Sequence, residues 1–355
     1  MREPRSGDRI LIASWLEPEL VARVREAAHP VPVDYEPDLL RPPRYPADHL
    51  GAARERTPDE EARWLGLLAR ATILFDFDAT HRENLPERAP EVRWVQATSA
   101  GIGQFVRRHR YAERMPDTVF TTASGVHARP LAEFALMAML AECRGLRQVQ
   151  EAQARRHWER YAGTDLDGRT VLVLGIGAIG AEVGRLAQAF GMRVVGVKRD
   201  PGGADPASVH ADELGGLGDL PALLPRAGFL VLAAPHTDET EGIIGAAELE
   251  ALPRGAVVIN IGRGALVDEP ALVRALQPPP QGTGHLGAAW LDVFAEEPLP
   301  AESPLWTLPN VVVSPHSAST SDRENRRITD LFCENLRRDR AGEPLLNVLD
   351  PARLY

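Results

Sequence analysis

The sequence predicts an α/β protein made of two doubly wound parallel-sheet domains with a cleft between them. Three observations carry this expectation. Residues 170–316 hold a series of short, nearly continuous apolar runs, "TVLVLG", "RVVGVK", "FLVLAA", "AVVINIG", "AAWLDVF" and "VVVSPH", as expected of strands buried on both faces. A shorter series precedes it, "RILIASW", "ATILFDF" and "VRWVQATS", separated by helix-patterned segments such as "TPDEEARWLGLLAR"; strand–helix alternation favours a parallel layer. The length of 355 residues is sufficient for two domains.

The elements follow in chain order. The N-terminal stretch "MREPRSGDRILIASW" is charged and has no long apolar run, so no secretion signal is expected. The three strands of the first series come next, with "RPPRYP" as a loop between them. "GVHARPLAEF" (125–134) is the expected crossing from the first series to the second. "LAEFALMAMLAECRGL" (131–146) is the most apolar helix candidate, and its uncharged run from Phe134 to Ala141 is far short of the roughly 20 residues a membrane span requires. It is expected to be a core or interface helix. "QPPPQGTG" is a second loop, and Ser321 to Arg338 forms one more helix with Ile328, Leu331, Phe332 and Leu336 as its apolar face.

Composition excludes some classes of function. Hydrophobic residues at 44% and charged residues at 25% suit a soluble globular protein. A formal net charge of −10 argues against nucleic-acid binding, which needs a basic field to neutralise phosphates. The two cysteines, Cys143 and Cys333, have no CxxC or metal-ligand spacing; they are expected to be reduced and structural, as in a cytoplasmic protein. No metal site is expected.

In "TVLVLGIGAIGAEVGRLAQAFG", Gly175, Gly177 and Gly180 form a G-x-G-x-x-G arrangement. Alone this is a weak signal. Here an apolar strand precedes it and a helix follows, with Val183, Leu186 and Ala187 at helical spacing. A dinucleotide-binding turn needs that context, because its glycines allow a tight turn, backbone approach to a pyrophosphate and close helix–strand packing. Backbone N–H groups at the helix N-terminus then face the diphosphate.

The next strand ends in "VVGVKRD", where Lys198 is the only lysine among the 40 basic residues. An acid usually stands there to accept hydrogen bonds from the ribose hydroxyls. A carboxylate would repel a 2′-phosphate, whereas a guanidinium pairs with one bidentately and stacks on adenine. Lys198 and Arg199 therefore suggest NADP over NAD. The alternative is that both side chains are solvated and Asp200 bonds the ribose.

Downstream, Arg263 follows a strand in "VVINIGRGALVDEPAL", Asp292 and Glu297 lie in "AAWLDVFAEEPLPAESPLW", and His316 ends a strand in "NVVVSPHSA". Ligands bind at strand ends on one edge of a doubly wound sheet. Arg, Glu and His there suit hydride transfer between a nicotinamide and a 2-keto or 2-hydroxy acid. Arginine would hold carboxylate and carbonyl oxygens. Histidine would donate a proton to the forming alkoxide, and a neighbouring carboxylate would favour its charged form. Singly, Arg263 could be a loop salt bridge, Glu297 a solvated acid and His316 a core histidine; together, downstream of the glycine loop, they favour the catalytic reading.

The segments "LGIGAIG", "NIGRGALVDE", "LDVFAEEPLP" and "SPHSA" resemble the D-isomer-specific 2-hydroxyacid dehydrogenase family, over about "VQATSAGIGQF" through "SPHSA". The resemblance implies a Rossmann-type cofactor domain, 127–318, and a flavodoxin-like substrate domain, 1–126 completed by 319–355. It implies catalytic roles for Arg263, Glu297 and His316, with Glu297 pairing His316, and a nicotinamide carboxamide contact for Asp292. "TSAGIG" matches the family's carboxylate-binding loop, which implies substrate binding by the N–H groups of Ala100 and Gly101, beside Arg263 and His316. The cofactor is expected against Gly175, Gly177, Ala178, Ile179, Gly180, Lys198, Arg199, Ala234, Pro235, Thr240, Ile261, Gly262, Asp292 and His316. The family further implies a homodimer through the cofactor domain, which would account for the apolar helix after Arg129.

The sequence departs from the family pattern at three positions: Gly103 replaces an aspartate, His127 an asparagine, and Lys198 the ribose acid. "GVHARP" with the cationic strand end looks most like the glyoxylate/hydroxypyruvate reductase branch, with NADP preferred and NAD possible. Formate dehydrogenases have glutamine where Glu297 stands. A phosphoglycerate dehydrogenase with an appended regulatory domain is not expected, since the chain ends soon after its last helix. The alternative from another class is a nucleotide-sensing corepressor-like binding protein of the same fold; no peptide-binding surface is signalled in the first hundred residues.

Overall fold

Successive side chains of a strand point to opposite faces, so a strand that is apolar throughout feeds two cores at once. That rule organises both sheets of the computed structural model, which describes residues 7–354. Residues 1–6 and 355 lie outside the described residues, and with them the start of the N-terminal stretch on which the absence of a secretion signal rests. The chain divides into two compact units, Met1–His127 with Thr320–Tyr355, and Ala128–Ser319.

In the first unit the strands are β1 (Ile10–Ile12), β2 (Val33–Asp34), β3 (Ile73–Phe75), β4 (Trp94–Gln96) and β5 (Val119–Thr121). They form a parallel sheet in the order β2-β1-β3-β4-β5, the flavodoxin-like order. The helices are α1 (Pro18–Ala28), α2 (Pro58–Arg70), α3 (Leu85–Arg88), α4 (Gly103–Arg108) and α5 (Tyr111–Arg114). Leu11, Leu74 and Val95 pack with Trp64, Leu68 and Tyr111 on one face, while Ile10, Ile12, Ile73, Phe75 and Trp94 line the other. Helix α2 starts at a reciprocal cap, Thr57 with Glu60, which satisfies two otherwise orphaned N–H groups.

The second unit begins with α6 (Ala128–Cys143) and α7 (Leu146–Ala154). Then come β6 (Thr170–Leu174), α8 (Ala178–Ala189), β7 (Arg193–Val197), β8 (Glu213–Gly215), α9 (Leu220–Leu223) and β9 (Phe229–Leu232). The unit closes with α10 (Ala246–Ala251), β10 (Val257–Asn260), α11 (Glu269–Leu276), β11 (Ala288–Leu291) and β12 (Val311–Val313). Its seven strands are parallel, in the order β12-β11-β10-β9-β6-β7-β8. The order reverses between β6 and β9, and at such a switch point two strand ends part and leave a crevice.

The last helix, α12 (Glu324–Ala341), belongs to the first unit. Its Phe332 ring lies 5.1 Å from the rings of both Phe75 and Trp94, and Ile328 and Leu336 are buried with them. Some boundaries differ from the sequence reading. Strands β2, β5 and β8 were not among the expected runs, since none holds more than two consecutive apolar residues. The 131–146 helix starts earlier and stops at Cys143, because Gly145 adopts a left-handed φ of 64° before α7. The tail helix starts at Glu324 rather than Ser321. No described helix is long and apolar enough to cross a membrane.

Candidate active site

The glycine loop follows β6 directly. A Cβ at Gly175 would fall 2.4 Å from the amide nitrogen of Ala234, and one at Gly180 would fall 2.2 Å from the carbonyl oxygen of Gly175. Both glycines are required by the packing of the protein itself. Gly177 differs: a Cβ there would meet nothing within 4 Å. It caps α8 and has no side chain to bond the first N–H groups of that helix, and among the described residues no other side chain is seen to do so. Open space before uncapped N–H groups fits the diphosphate of a dinucleotide. Ala178 is exposed at the first turn, while Ile179 is half-buried against the core.

Two further strand ends flank this loop. Lys198, half-buried after β7, donates its backbone N–H to Gly215 at 3.1 Å. Arg199 is exposed and forms an ion pair with Glu239. After β9, Ala234 is buried and Pro235 exposed. Thr240 is buried, with its hydroxyl donating to the Pro235 carbonyl at 2.7 Å and accepting from the Thr237 N–H at 2.8 Å. Its hydroxyl is therefore spent on holding the loop that carries Glu239.

Arg263, Glu297, His316 and Asp292 come together on the other side of the same sheet edge. The His316 Nδ1 and Glu297 Oε2 lie 2.8 Å apart, and the Phe294 N–H donates to the second oxygen of Glu297 at 3.1 Å. The Glu297 bond raises the His316 pKa, outweighing partial burial. Burial pushes Glu297 up, but its bonds from His316 and Phe294 and the His316 and Arg263 charges bring its pKa below the usual value. Burial lowers the Arg263 pKa, with Glu297 the opposing charge. The guanidinium remains protonated, since arginine starts so high.

The supporting residues explain why these side chains are held. Asn260, at the end of β10, donates from Nδ2 to the Arg263 carbonyl at 3.0 Å and accepts from the Gly262 N–H at 3.1 Å. It closes the turn through Ile261 and Gly262, both buried. A Cβ at Gly264 would fall 1.9 Å from the backbone of Phe294, so only glycine lets the Arg263 loop rest on the Glu297 loop. Asp292 is buried and its Oδ1 gathers three donors: the Ser314 hydroxyl, the Ser317 N–H at 2.8 Å and the Ala318 N–H at 2.9 Å. Burial raises its pKa despite these bonds. Glu269 accepts from the Ala295 N–H at 3.1 Å. Sequence reasoning missed Asn260, Glu269 and Ser314; the one signal available was a lone polar residue closing the apolar run "VVIN".

Ala100 and Gly101 follow β4 in the first unit, and so stand apart in the chain's organisation from the Arg263 group. Ala100 is half-buried and Gly101 exposed, its N–H at 3.3 Å from the Ser99 hydroxyl. The departures at 103 and 127 have local causes. A Cβ at Gly103 would fall 2.0 Å from the Leu354 carbonyl oxygen. His127 is buried, with its Nε2 at 3.2 Å from Glu324.

Comparison with known proteins identifies this arrangement. Residues 136–318 match the family model for the D-isomer specific 2-hydroxyacid dehydrogenase NAD-binding domain. The chain is 33% identical to a glyoxylate reductase of Korarchaeum cryptofilum over 272 residues, 72% of this chain and 76% of that protein. It is 31% identical to glyoxylate/hydroxypyruvate reductase B of Yersinia pestis over 305 residues, 83% of this chain and 89% of that one. Among solved structures, a D-isomer specific 2-hydroxyacid dehydrogenase of Xanthobacter autotrophicus in complex with NADPH and MES aligns with a TM-score of 0.76 at 30% identity, covering 98% of this chain and 99% of that one. An NADPH-dependent glyoxylate/hydroxypyruvate reductase of Sinorhizobium meliloti, in complex with NADP and sulfate, aligns with a TM-score of 0.76 at 26% identity, covering 98% of this chain and all of that one. These relatives do not favour the corepressor-like alternative. The chain belongs to the D-isomer-specific 2-hydroxyacid dehydrogenase family, as an NAD(P)-dependent oxidoreductase that transfers a hydride between the nicotinamide and a 2-keto or 2-hydroxy acid.

Proposed function

We propose that the protein reduces a small 2-keto acid of the glyoxylate/hydroxypyruvate type, with NADPH preferred over NADH. The observation that carries this reading is the His316–Glu297 bond of 2.8 Å beside Arg263. Bound NAD(P)H supplies the hydride. Arg263, fixed by Asn260, holds the substrate's carboxylate and carbonyl oxygens by its fork of donors. Glu297 engages Nδ1 of His316, which leaves Nε2 to give a proton to the alkoxide as it forms, and to take one back in the oxidation direction.

In this reading residues 127–318 are the dinucleotide-binding domain, and residues 1–126 with 319–355 are the substrate-binding domain, where the N–H groups of Ala100 and Gly101 take the substrate carboxylate. The diphosphate lies on Gly175, Gly177, Ala178, Ile179 and Gly180, with Ala234, Pro235, Thr240, Ile261 and Gly262 forming the cofactor's further strand-end contacts. Asp292 meets the carboxamide, and Lys198 with Arg199 takes the 2′-phosphate. The named reductases and the NADP complexes of the solved relatives support the substrate class and the cofactor.

A homodimer through the second unit completes the reading, supported by exposed apolar side chains on α6, α7 and the segment that follows, Met137, Leu146, Trp158 and Tyr161 among them. We place the protein in the cytoplasm, consistent with two free cysteines, of which Cys333 has its thiol pKa pushed by burial to about 11. A panel of 2-keto acids assayed with NADPH and with NADH tests the function. Turnover of glyoxylate or hydroxypyruvate above larger 2-keto acids, and faster with NADPH, is the expected result. A preference for a bulky keto acid, or for NADH, overturns the corresponding part.

A further inference from the structure

The ion pair between Arg199 and Glu239 joins two strand ends that are not neighbours. Arg199 follows β7 and Glu239 lies in the loop after β9, and in the sheet these strands flank β6 on its two sides. All three are parallel, so their carboxyl ends share one edge. With strands about 4.8 Å apart, a bond from the β7 end to the β9 loop passes the end of β6, where the glycine loop stands. The β9 loop is tightly held there, since Ala234 packs on Gly175 and Thr240 braces Pro235 and Thr237. Glu239 is thus carried on a fixed arm. Both partners are exposed, Arg199 at 40% and Glu239 at 55%.

The end of β7 is where this fold reads the 2′ position of the adenosine ribose. The guanidinium there already has an anionic partner, and a 2′-phosphate needs the same donors. We propose that Glu239 is a cofactor-specificity residue, a competitor that holds Arg199 when the ribose carries a 2′-hydroxyl and yields it to a 2′-phosphate. This rests on the reading of Lys198 and Arg199 as the 2′-phosphate site. The exchange is feasible because an exposed ion pair is weak and a phosphate carries about −1.5 to −2 against −1 for the carboxylate. The charge that remains on Glu239 still opposes the phosphate. Glu239 therefore moderates the preference for NADPH and leaves NADH binding alone.

Calorimetric titration of the full chain with NADPH and with NADH tests this in wild type, Glu239→Gln, Arg199→Ala and the double variant. Glu239→Gln is expected to tighten NADPH by up to about fivefold, equivalent to about 1 kcal/mol, with NADH affinity unchanged. In the Arg199→Ala background the same substitution is expected to have a much smaller effect, because the competition is for Arg199. An unchanged NADPH-to-NADH ratio in Glu239→Gln overturns the inference, as does an equal gain with and without Arg199, which would mean only a long-range charge effect. If Arg199→Ala itself leaves the ratio of wild type unchanged, the 2′-phosphate reading fails and takes this inference with it.

Discussion

His316 has a left-handed backbone, with φ at 52°, a conformation that costs a non-glycine residue about 1–3 kcal/mol. The turn around it is held from below: the His316 N–H bonds the Ser314 carbonyl at 3.0 Å, and Asp292 gathers the N–H groups of Ser317 and Ala318. Strain kept by such contacts at one residue is expected where a side chain must be aimed. Glu297 then sets the proton affinity of the ring. Glu297→Gln removes the influence that most raises the His316 pKa. Reduction needs the protonated ring, so the alkaline fall in its rate is expected to move to lower pH in the variant. Profiles of kcat/KM between pH 5 and 9 check this, and superimposable curves would separate the two residues. Arg263→Ala is expected to lower kcat/KM for glyoxylate by about 10²–10³-fold, with cofactor affinity within a few-fold of wild type. Nearly normal turnover in that variant would remove Arg263 from the site.

The elements that position these residues differ in how readable they are. β6, β7, β9, β10 and β11 were legible because strands covered on both faces need long apolar runs, and β12, although an edge, keeps the apolar run Val311–Val313 half-buried against both cores. Strands β2 and β8 are edges of their sheets and β5 another, and an edge strand can be short and polar without loss. The catalytic trio was legible only as a motif set; nothing in composition signals that Gly264 lets two loops touch, or that Asn260 closes the Arg263 turn. A buried cluster in the first unit was not legible at all. Glu324, at the start of α12, lies 3.2 Å from His127 Nε2 and 3.5 Å from His49 Nε2, with Asp76 and Asp48 acting on His49 as further charges. Burial pushes Glu324 up, but its two histidine partners prevail and its pKa falls to about 2. A carboxylate depressed on folding stabilises above its unfolded value near 4.3 and loses that contribution as pH falls toward the folded value. The shift corresponds to something on the order of 3 kcal/mol. His49 has the opposite sign: burial lowers its pKa, but the Glu324 contact and the Asp76 and Asp48 charges outweigh burial and raise it, and its contribution is lost as pH rises through the raised value. Glu324→Gln is therefore expected to be less stable than wild type at pH 6, with the gap closing between about pH 4 and pH 2. Calorimetric melting across that range decides it, and a gap independent of pH would mean that Glu324 is not the ionised centre of the cluster.

The second unit carries an apolar surface that its own core does not use. Met137 (48% exposed), Leu146 (44%), Val149 (40%), Trp158 (95%) and Tyr161 (45%) all fall between residues 137 and 161. The inner face of α6 is spent on its own core through Leu131, Ala135, Ala138 and Met139, and Glu142 fixes it by accepting from Trp290 Nε1 at 2.8 Å. Tyr161 donates its hydroxyl to the Arg144 carbonyl at 2.7 Å, whereas Met137, Leu146, Val149 and Trp158 take no part in that core, and one tryptophan nearly fully in water is a cost that a partner surface would remove. In a two-fold pairing each residue is used twice, so a substitution in this segment acts on both halves of the interface. Replacing Leu146 with Asp and Trp158 with Ala should leave the monomer folded, since neither contributes to the core. Burying one large apolar side chain contributes about 1.5–3 kcal/mol, so the double variant should weaken a dimer by about a hundredfold or more. Sedimentation velocity over a range of concentrations, with melting as the control for folding, measures both. A wild type that sediments as a monomer at tens of micromolar would refute the dimer. A wild-type dimer unchanged in the variant would place its interface on another face.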